Sequence, residues 1–423
     1  MDIQISSFGT LIGLTLTIIL IIKHVNPPYA MMLGALVGGL IGGLPIPETV
    51  QVMIQGAQGM TGVVLRVLAA GVLAGVLIES GAAKRIAESI VNGLGETKAL
   101  LAITGATMIL TGVGVFIGVA VLTVAPIALA IAKRANMSKF AVLLAISGGG
   151  KAGNIISPNP NTIAAAEAFQ VPLTSVMVAG VIPALGGAAI TYLIAKKLVN
   201  KGSSISDVDV PEQQQETELP SLGASLSGPA FAIFLLLLQP LFGWFIDPLF
   251  ALPIGGIVGA IIMKKGREIN RYATSGLEKM SGVAILLIGT GTLAGVIAHS
   301  AIIDVILSAI DSMGLPAYAL APIAGVTMSA ATGSTAAATA VAGNVFAPII
   351  LELGIQALAG AAMVHAGATV LDHLPHGTYF HITRGSVNMG MVERFKLLPY
   401  ETVIGLVIVI ISTLLFGVFA LSF

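Results

Sequence analysis

The sequence predicts an all-α polytopic membrane protein of two inverted-topology repeats, each containing a helical hairpin and a broken helix. Three observations predict it. Of 423 residues, 56% are hydrophobic and 9% charged, whereas a soluble domain carries about 25% charged residues. So few charges cannot cover a water-facing surface, so lipid surrounds most of the chain. Lys and Arg fall in alternate loops. One stretch also recurs: GAQGMTGVVLRVLAAGVLAGVLIES (56–80) aligns without gaps on GLEKMSGVAILLIGTGTLAGVIAHS (276–300), with roughly ten identities. Such self-similarity marks internal duplication.

Composition excludes several functions. Twenty basic and 20 acidic residues give zero net charge, which leaves no basic nucleic-acid-binding stripe. The chain has no cysteine, hence no disulfide, thiolate metal site or thiol nucleophile. Its 51 glycines suit membrane helices, which pack by close backbone approach. The opening MDIQISSFGTLIGLTLTIILIIK lacks a basic n-region and a small-residue cleavage site, so it reads as a first span rather than a signal peptide.

A membrane helix needs about 20 apolar residues. Candidate crossings are 4–22, 27–44, 61–80, 139–169 (interrupted), 174–195, 228–246, 248–263, 281–298, 356–383 (interrupted) and 399–422. Two long apolar stretches, 99–132 and 317–350, break at Thr111-Gly112-Val113-Gly114 and Thr332-Gly333-Ser334-Thr335. They read as hairpins that enter and leave by one face.

Lys and Arg concentrate in cytoplasmic loops. With the N-terminus outside and no net crossing per hairpin, the inside segments hold Lys23; Lys84, Arg85 and Lys98; Lys133, Arg134 and Lys139; Lys196, Lys197 and Lys201; the run from Lys264 to Lys279; and Arg384, Arg394 and Lys396. The outside loops hold none, and only Arg66 and Lys151 lie within spans. The expected location is the inner (plasma) membrane, with both termini outside. The two copies of the repeated stretch then run in opposite directions, as in many secondary transporters. The first repeat covers 1–199 and the second 225–423. Residues 200–224 between them are polar and acidic and read as a flexible cytoplasmic linker.

Unpaired backbone groups in hydrocarbon cost several kcal/mol each, so helix breaks persist only where protein or a water-filled cavity satisfies them. Four are expected: the two hairpin tips, SPNPNT (157–162) and DHLPHGT (372–378). Proline lacks an amide hydrogen and disfavours helix in the residue before it, so Pro158, Pro160 and Pro375 cannot sit in continuous helix. The restarting half-helices present free amides and a positive dipole end, which suit a carboxylate. Asn159, Asn161 and Thr162 add donors for hydroxyls, and Asn161 or Thr162 is expected to cap the second half-helix.

Lys151 lies roughly 18 Å into the bilayer from Lys139 at 1.5 Å per residue, and an ionisable residue there is a functional candidate. It either attracts a substrate carboxylate or pairs with Asp372 across the repeats. Asp372 and His373 are the candidates for carrying a proton. His365, His373, His376 and His381 crowd one region, yet their spacing matches no strong metal signature, and no metal or cofactor is expected. Glu167 reads as a polar cap toward the outside, and Arg66 as a snorkelling residue about one turn below the outer face.

In SGGGKAGNIISPNPNTIAAAEAF (147–169), ATGSTAAATAVAG (331–343), VHAGATVLDHLPHGTYFHITRGSVNM (364–389), the hairpin ending in Ala125-Pro126 and the closing span after Glu401, the chain resembles the gluconate permease family of gluconate:proton symporters. The resemblance implies sugar acids or small hydroxy or amino acids as substrates, proton symport, a site formed by hairpin tips and broken helices, and a homodimer with elevator-like movement. That family's first broken helix carries a His before a Pro-Pro-His-Pro-Gly-Pro type run. Here the place reads GGGKAGNIISPNPN.

The expected function is therefore secondary transport of a small hydroxylated carboxylate with a proton, not enzymatic catalysis. The expected substrate-binding residues are Thr111, Gly112, Lys151, Asn154, Ser157, Asn159, Asn161, Thr162, Thr332, Gly333, Ser334, Thr335 and His373, with Asp372 or His373 as proton carrier. The partners are a small organic anion, a proton and the lipid bilayer, with no nucleic acid. A sodium-coupled carrier or sodium/proton antiporter is the alternative, and an intramembrane hydrolase a remoter one.

Overall fold

The structure is a computed structural model that describes residues 5–421 except 24, 211–217, 301, 303, 304, 306, 307, 309–311, 313 and 376. The described residues are helical throughout, with two isolated β-bridges and no strand. In the first half α1 is Ser7–Ile22, α2 Pro27–Ile41, α3 Ile46–Gly59, α4 Thr61–Glu79, α5 Ala82–Leu94, α6 Ala99–Gly112, α7 Ile117–Arg134, α8 Lys139–Asn154, α9 Pro160–Ala168, α10 Leu173–Ala179 and α11 Val181–Leu198. In the second half α12 is Leu222–Phe242, α13 Pro248–Ile262, α14 Ile269–Ala298, α15 Leu320–Thr332, α16 Thr335–Glu352, α17 Ala357–Ala368, α18 Thr378–Ser386, α19 Met391–Phe395 and α20 Leu398–Thr413.

Local signals set these ends. Ser6, Ser138, Ser221 and Asp247 cap α1, α8, α12 and α13 by accepting a backbone N–H. Prolines occupy the first turns of α2 and α13, where the missing N–H costs nothing. α5 buries Ala83, Ile86, Ala87 and Val91 along one face, the stripe of an amphipathic surface helix. Neither α5 nor α3 is expected from apolar runs, because both carry polar faces.

Seven helices among the described residues are long and apolar enough to cross a membrane. Other expected crossings are assembled from shorter pieces. α1, α2 and α13 have 16, 15 and 15 residues, and the expected crossing 174–195 is two helices separated at Gly180. α9 and α10 meet at 110°. In the other direction, the expected span 281–298 is the C-terminal part of a single 30-residue helix, α14.

The repeats show in which helices touch. α1 packs on α2 as α12 packs on α13; α2 packs on α14 as α13 packs on α4; α6 and α7 pack on α8 as α15 and α16 pack on α17. The centre of this pattern is the crossing of α3–α4 with α14, made by glycines. A Cβ on Gly56 would lie 2.1 Å from Gly291 O, and one on Gly71 would lie 2.8 Å from Gly276 O. Gly56 and Gly276 are equivalent in the repeat alignment, as are Gly71 and Gly291. Each copy therefore presents the same two points to the other in reverse order, so the helices cross antiparallel about a pseudo-twofold.

Against this scaffold of α1–α4 and α12–α14 packs a second unit, α6–α11 with α15–α20. Both hairpins form. α6 ends at Gly112, Gly114 turns with φ +107°, and α15 ends at Thr332 with Gly333 at φ +60°. These are left-handed conformations that glycine adopts without steric cost. The second arm of each hairpin reaches across to the other repeat, α7 onto α18 and α16 onto α9.

Part of the linker is fixed, against the expectation of flexibility. Asp209 Oδ1 accepts from Lys139 Nζ at 2.7 Å and from Asn388 Nδ2 at 3.1 Å, and Ser203 N–H donates to Glu393 Oε1 at 2.6 Å. Residues 203–209 thus strap α8 of the first repeat to the α18–α19 region of the second. Residues 211–217 lie outside the described residues.

Candidate substrate-binding site

α8 is buried along its whole length, so Lys151 has no access to solvent (0% exposed). Its ammonium donates to Asp372 Oδ1, to Thr369 O at 2.5 Å and to His373 Nδ1 at 3.1 Å. A lysine has three donors, so all are engaged. Because His373 Nδ1 faces the ammonium as an acceptor, the ring proton sits on Nε2, which reaches Leu398 O and Thr402 Oγ1, each at 3.1 Å. The other carboxylate oxygen, Asp372 Oδ2, accepts from Thr335 Oγ1 at 2.6 Å. One buried carboxylate therefore ties α8, the second broken helix and the second hairpin tip together.

The first broken helix is organised by asparagines. Asn159 caps α9 by accepting from the N–H groups of Asn161 (2.9 Å) and Thr162 (3.2 Å). Its amide donates to Asn154 O and Oδ1, and Asn161 Nδ2 also donates to Asn154 Oδ1 at 3.0 Å. The cap is thus Asn159, not Asn161 or Thr162 as expected. Pro160 takes the first helical position and puts the cap one residue ahead of it. Asn161 Oδ1, Asn154 Nδ2 and Ser157 Oγ are buried without a partner among the described residues, which buried polar atoms rarely are.

A cavity of about 370 Å³ opens beside this network, within the range of small-molecule sites. Its walls include Asn161 of α9, Thr332–Ala337 at the second hairpin tip, Asp372, and Gly377, Thr378, Tyr379 and Ile382 of the second broken helix. Phe116, Ile117 and Gly118 close it from the first hairpin, and Asn26, Pro27, Pro28, Gly282, Val283 and Leu286 from the scaffold. The start of α16 faces it, and a helix N-terminus favours an anion. Gly377 is confined here: a Cβ would fall 2.0 Å from Gly333 O.

A model of the GntP family permeases matches residues 5–419. The chain belongs to the GntP permease family. This permease is therefore a multi-pass membrane transporter rather than an enzyme. It is 60% identical to an "Uncharacterized transporter" of Haemophilus influenzae over 98% of this chain and 99% of that one. It is 24% identical to a gluconate permease of Pseudomonas aeruginosa over 96% of each. Its fold is similar to that of the Alcanivorax borkumensis YdaH transporter, whose crystal structure was described as having an unusual topology, at a TM-score of 0.68, 17% identity and coverage of 88% and 89%.

Of the residues expected in the site of this permease, Asn161, Thr332, Gly333, Ser334, Thr335 and Asp372 line the cavity. Lys151, Asn154, Asn159, Thr162 and His373 stand behind it in the network, and Ser157 is buried beside them. Thr111 and Gly112 lie elsewhere: Thr111 Oγ1 returns to Thr107 O at 2.8 Å, and both residues pack on the end of α8. The first hairpin reaches the cavity through Phe116–Gly118 instead, because Gly114 turns the chain before that point. His376 lies outside the described residues.

Two buried groups escape the sequence reading. Arg394 and Glu401 are 0% exposed. The arginine donates to Glu401 Oε2 at 2.5 Å and stacks over Phe380, while Glu401 Oε1 accepts from Ser147 Oγ at 2.5 Å and Tyr379 OH donates to Ser147 Oγ at 3.2 Å. Arg394 counts toward the basic loops in the sequence, and only its spacing of seven residues from Glu401 could have signalled the pair.

Proposed function

We propose that this permease takes up a small hydroxylated carboxylate, such as a sugar acid, hydroxy acid or related amino acid, together with a proton. The observation that carries the reading is the cavity bordered by Asp372 and Thr335, with Lys151 directly behind the carboxylate. With Asp372 ionised, Lys151 has its counter-charge and gives an anion nothing. A proton on Asp372 frees one ammonium donor, and the substrate carboxylate replaces the lost charge. His373 is the alternative carrier: the proton placed on its Nδ1 instead turns it from acceptor to donor and likewise loosens its hold on Lys151. Anion and proton are then bound together or not at all. Asn161 and the hydroxyls of Ser334, Thr335 and Thr378 meet the substrate hydroxyls.

In this reading the two termini lie outside, residues 200–224 are cytoplasmic, and the cavity, beside the turn after Lys23, opens inward. The hairpin unit moves as an elevator against the scaffold, and the protein is a homodimer in the inner membrane. The Pseudomonas aeruginosa relative named a gluconate permease supports the substrate class.

Proteoliposome uptake of D-gluconate, other sugar acids, hydroxy acids and D-amino acids tests this. An imposed proton gradient is expected to drive accumulation, and a sodium gradient is not. Asp372→Asn and His373→Ala are expected to abolish accumulation while counterflow exchange persists. Sodium-driven accumulation that both variants retain would overturn the coupling.

A further inference from the structure

The cavity has a counterpart under the pseudo-twofold. Leu286 of α14 borders it together with Asn26 and Pro27, the cap and first residue of α2. The repeat alignment equates Leu286 with Arg66, and the cap and first residue of α13 are Asp247 and Pro248. These do meet. Arg66, Glu167 and Pro248 share a residual space of about 50 Å³ beside the second half of the first broken helix, where the open cavity, about 370 Å³, lies beside the second half of the other. The operation that exchanges the repeats also reverses the membrane direction, so the wide space on one side has a narrow twin on the other.

Charge holds the shut side. Arg66 grips Asp247 with two donors, Nε to Oδ1 at 2.9 Å and Nη2 to Oδ2 at 2.6 Å, and both residues belong to the scaffold. Its remaining nitrogen, Nη1, lies 2.7 Å from Glu167 Oε1 on α9, in the hairpin unit. In sequence Arg66 lies between Gly56 and Gly71, the two crossing points of the first repeat, and in space it meets the cap of α13. The wide side carries Leu286 at the equivalent place, and no Lys or Arg is among the described residues that line it.

We propose that the Arg66–Glu167 bridge is a latch that shuts the second access route to the substrate site, and that it must part in each transport cycle. The inference rests on the transport reading, but one of its two tests, the labelling, does not depend on finding the substrate. The chain has no cysteine, so introduced thiols are the only ones. Tethering R66C to E167C with a reductant-cleavable bismaleimide is expected to stop proton-driven D-gluconate uptake, with recovery on cleavage. The same tether between R66C and D247C stays within the scaffold and is expected to leave uptake running. Independently, a lone A336C reporter in the cavity wall is labelled by an impermeant maleimide from the side opposite the open cavity. Adding E167Q is expected to raise that labelling rate several-fold. Uptake indifferent to the R66C–E167C tether, or labelling unchanged by E167Q, would overturn the latch. If no compound is carried by any form, the transport reading fails, while the labelling still answers for the latch.

Discussion

Lys151 and Asp372 answer each other's charge while buried, 0% and 3% exposed, and that fixes how they respond to substitution. Removing one partner strands the other, which costs about 3–5 kcal/mol for a buried pair. Asp372→Asn or Lys151→Gln alone is therefore expected to lower the melting temperature in detergent more than the double substitution does, the non-additivity of groups in contact. Equal losses in all three would mean the charges do not interact. The pair was legible in the sequence as an option, because an intramembrane lysine requires a partner and few acids are available. That all three lysine donors are filled was not, since Thr369 O and His373 Nδ1 arrive through tertiary packing. Asn159 shows a second limit: the SPNPNT run announces a break, but which oxygen caps it depends on the backbone. Asn159→Ala is expected to cost about 1–2 kcal/mol for the lost cap and further loosen Asn154, read as a lower thermal midpoint.

Among the elements, the hairpins and broken helices matched the reading because prolines and glycines mark them locally. The helices α3 and α5, the division of α10 from α11 and the linker strap did not, since polar faces and tertiary contacts decide them. Gly377 joins the second broken helix to the hairpin tip with no room for a methyl group. Gly377→Ala is expected to cost about 1–3 kcal/mol by overpacking and to impair uptake disproportionately, because it parts Thr335 from Asp372. Unchanged uptake kinetics would separate that contact from function. The strap makes its own forecast. Burial pushes the Asp209 carboxyl up, but Lys139, Ser206 and Asn388 outweigh it and hold it well below the usual carboxylate range. The strap's contribution is thus complete above an unfolded value of about 3.9 and fades as pH falls from there toward the lower folded value. Asp209→Asn is expected to flatten the acid side of a melting-temperature profile while leaving its slope near neutrality alone.

For the molecule as a whole, the antiparallel glycine crossing sets how the halves meet, and it was the repeat alignment that made the inversion readable. What the alignment could not give was which side of the symmetric pathway is open. That is a property of the conformation, in which the Arg66–Glu167 ion pair marks one side and apolar Leu286 the equivalent place on the other. Gly71→Leu places a bulky chain where a backbone lies against Gly276 and is expected to prevent a stable scaffold from forming, read as aggregation on size-exclusion chromatography. Gly59→Leu, at a position with open space around it, is expected to be tolerated.

The crossing has one more consequence. Each partner offers Gly56-type and Gly71-type points to a partner running the other way, which is the handshake two identical half-length polypeptides would make after inserting head-up and head-down. Covalent continuity between the halves is then a convenience of synthesis rather than a condition of assembly. Residues 1–210 and 218–423, produced as separate polypeptides in one cell, are expected to find each other and co-purify.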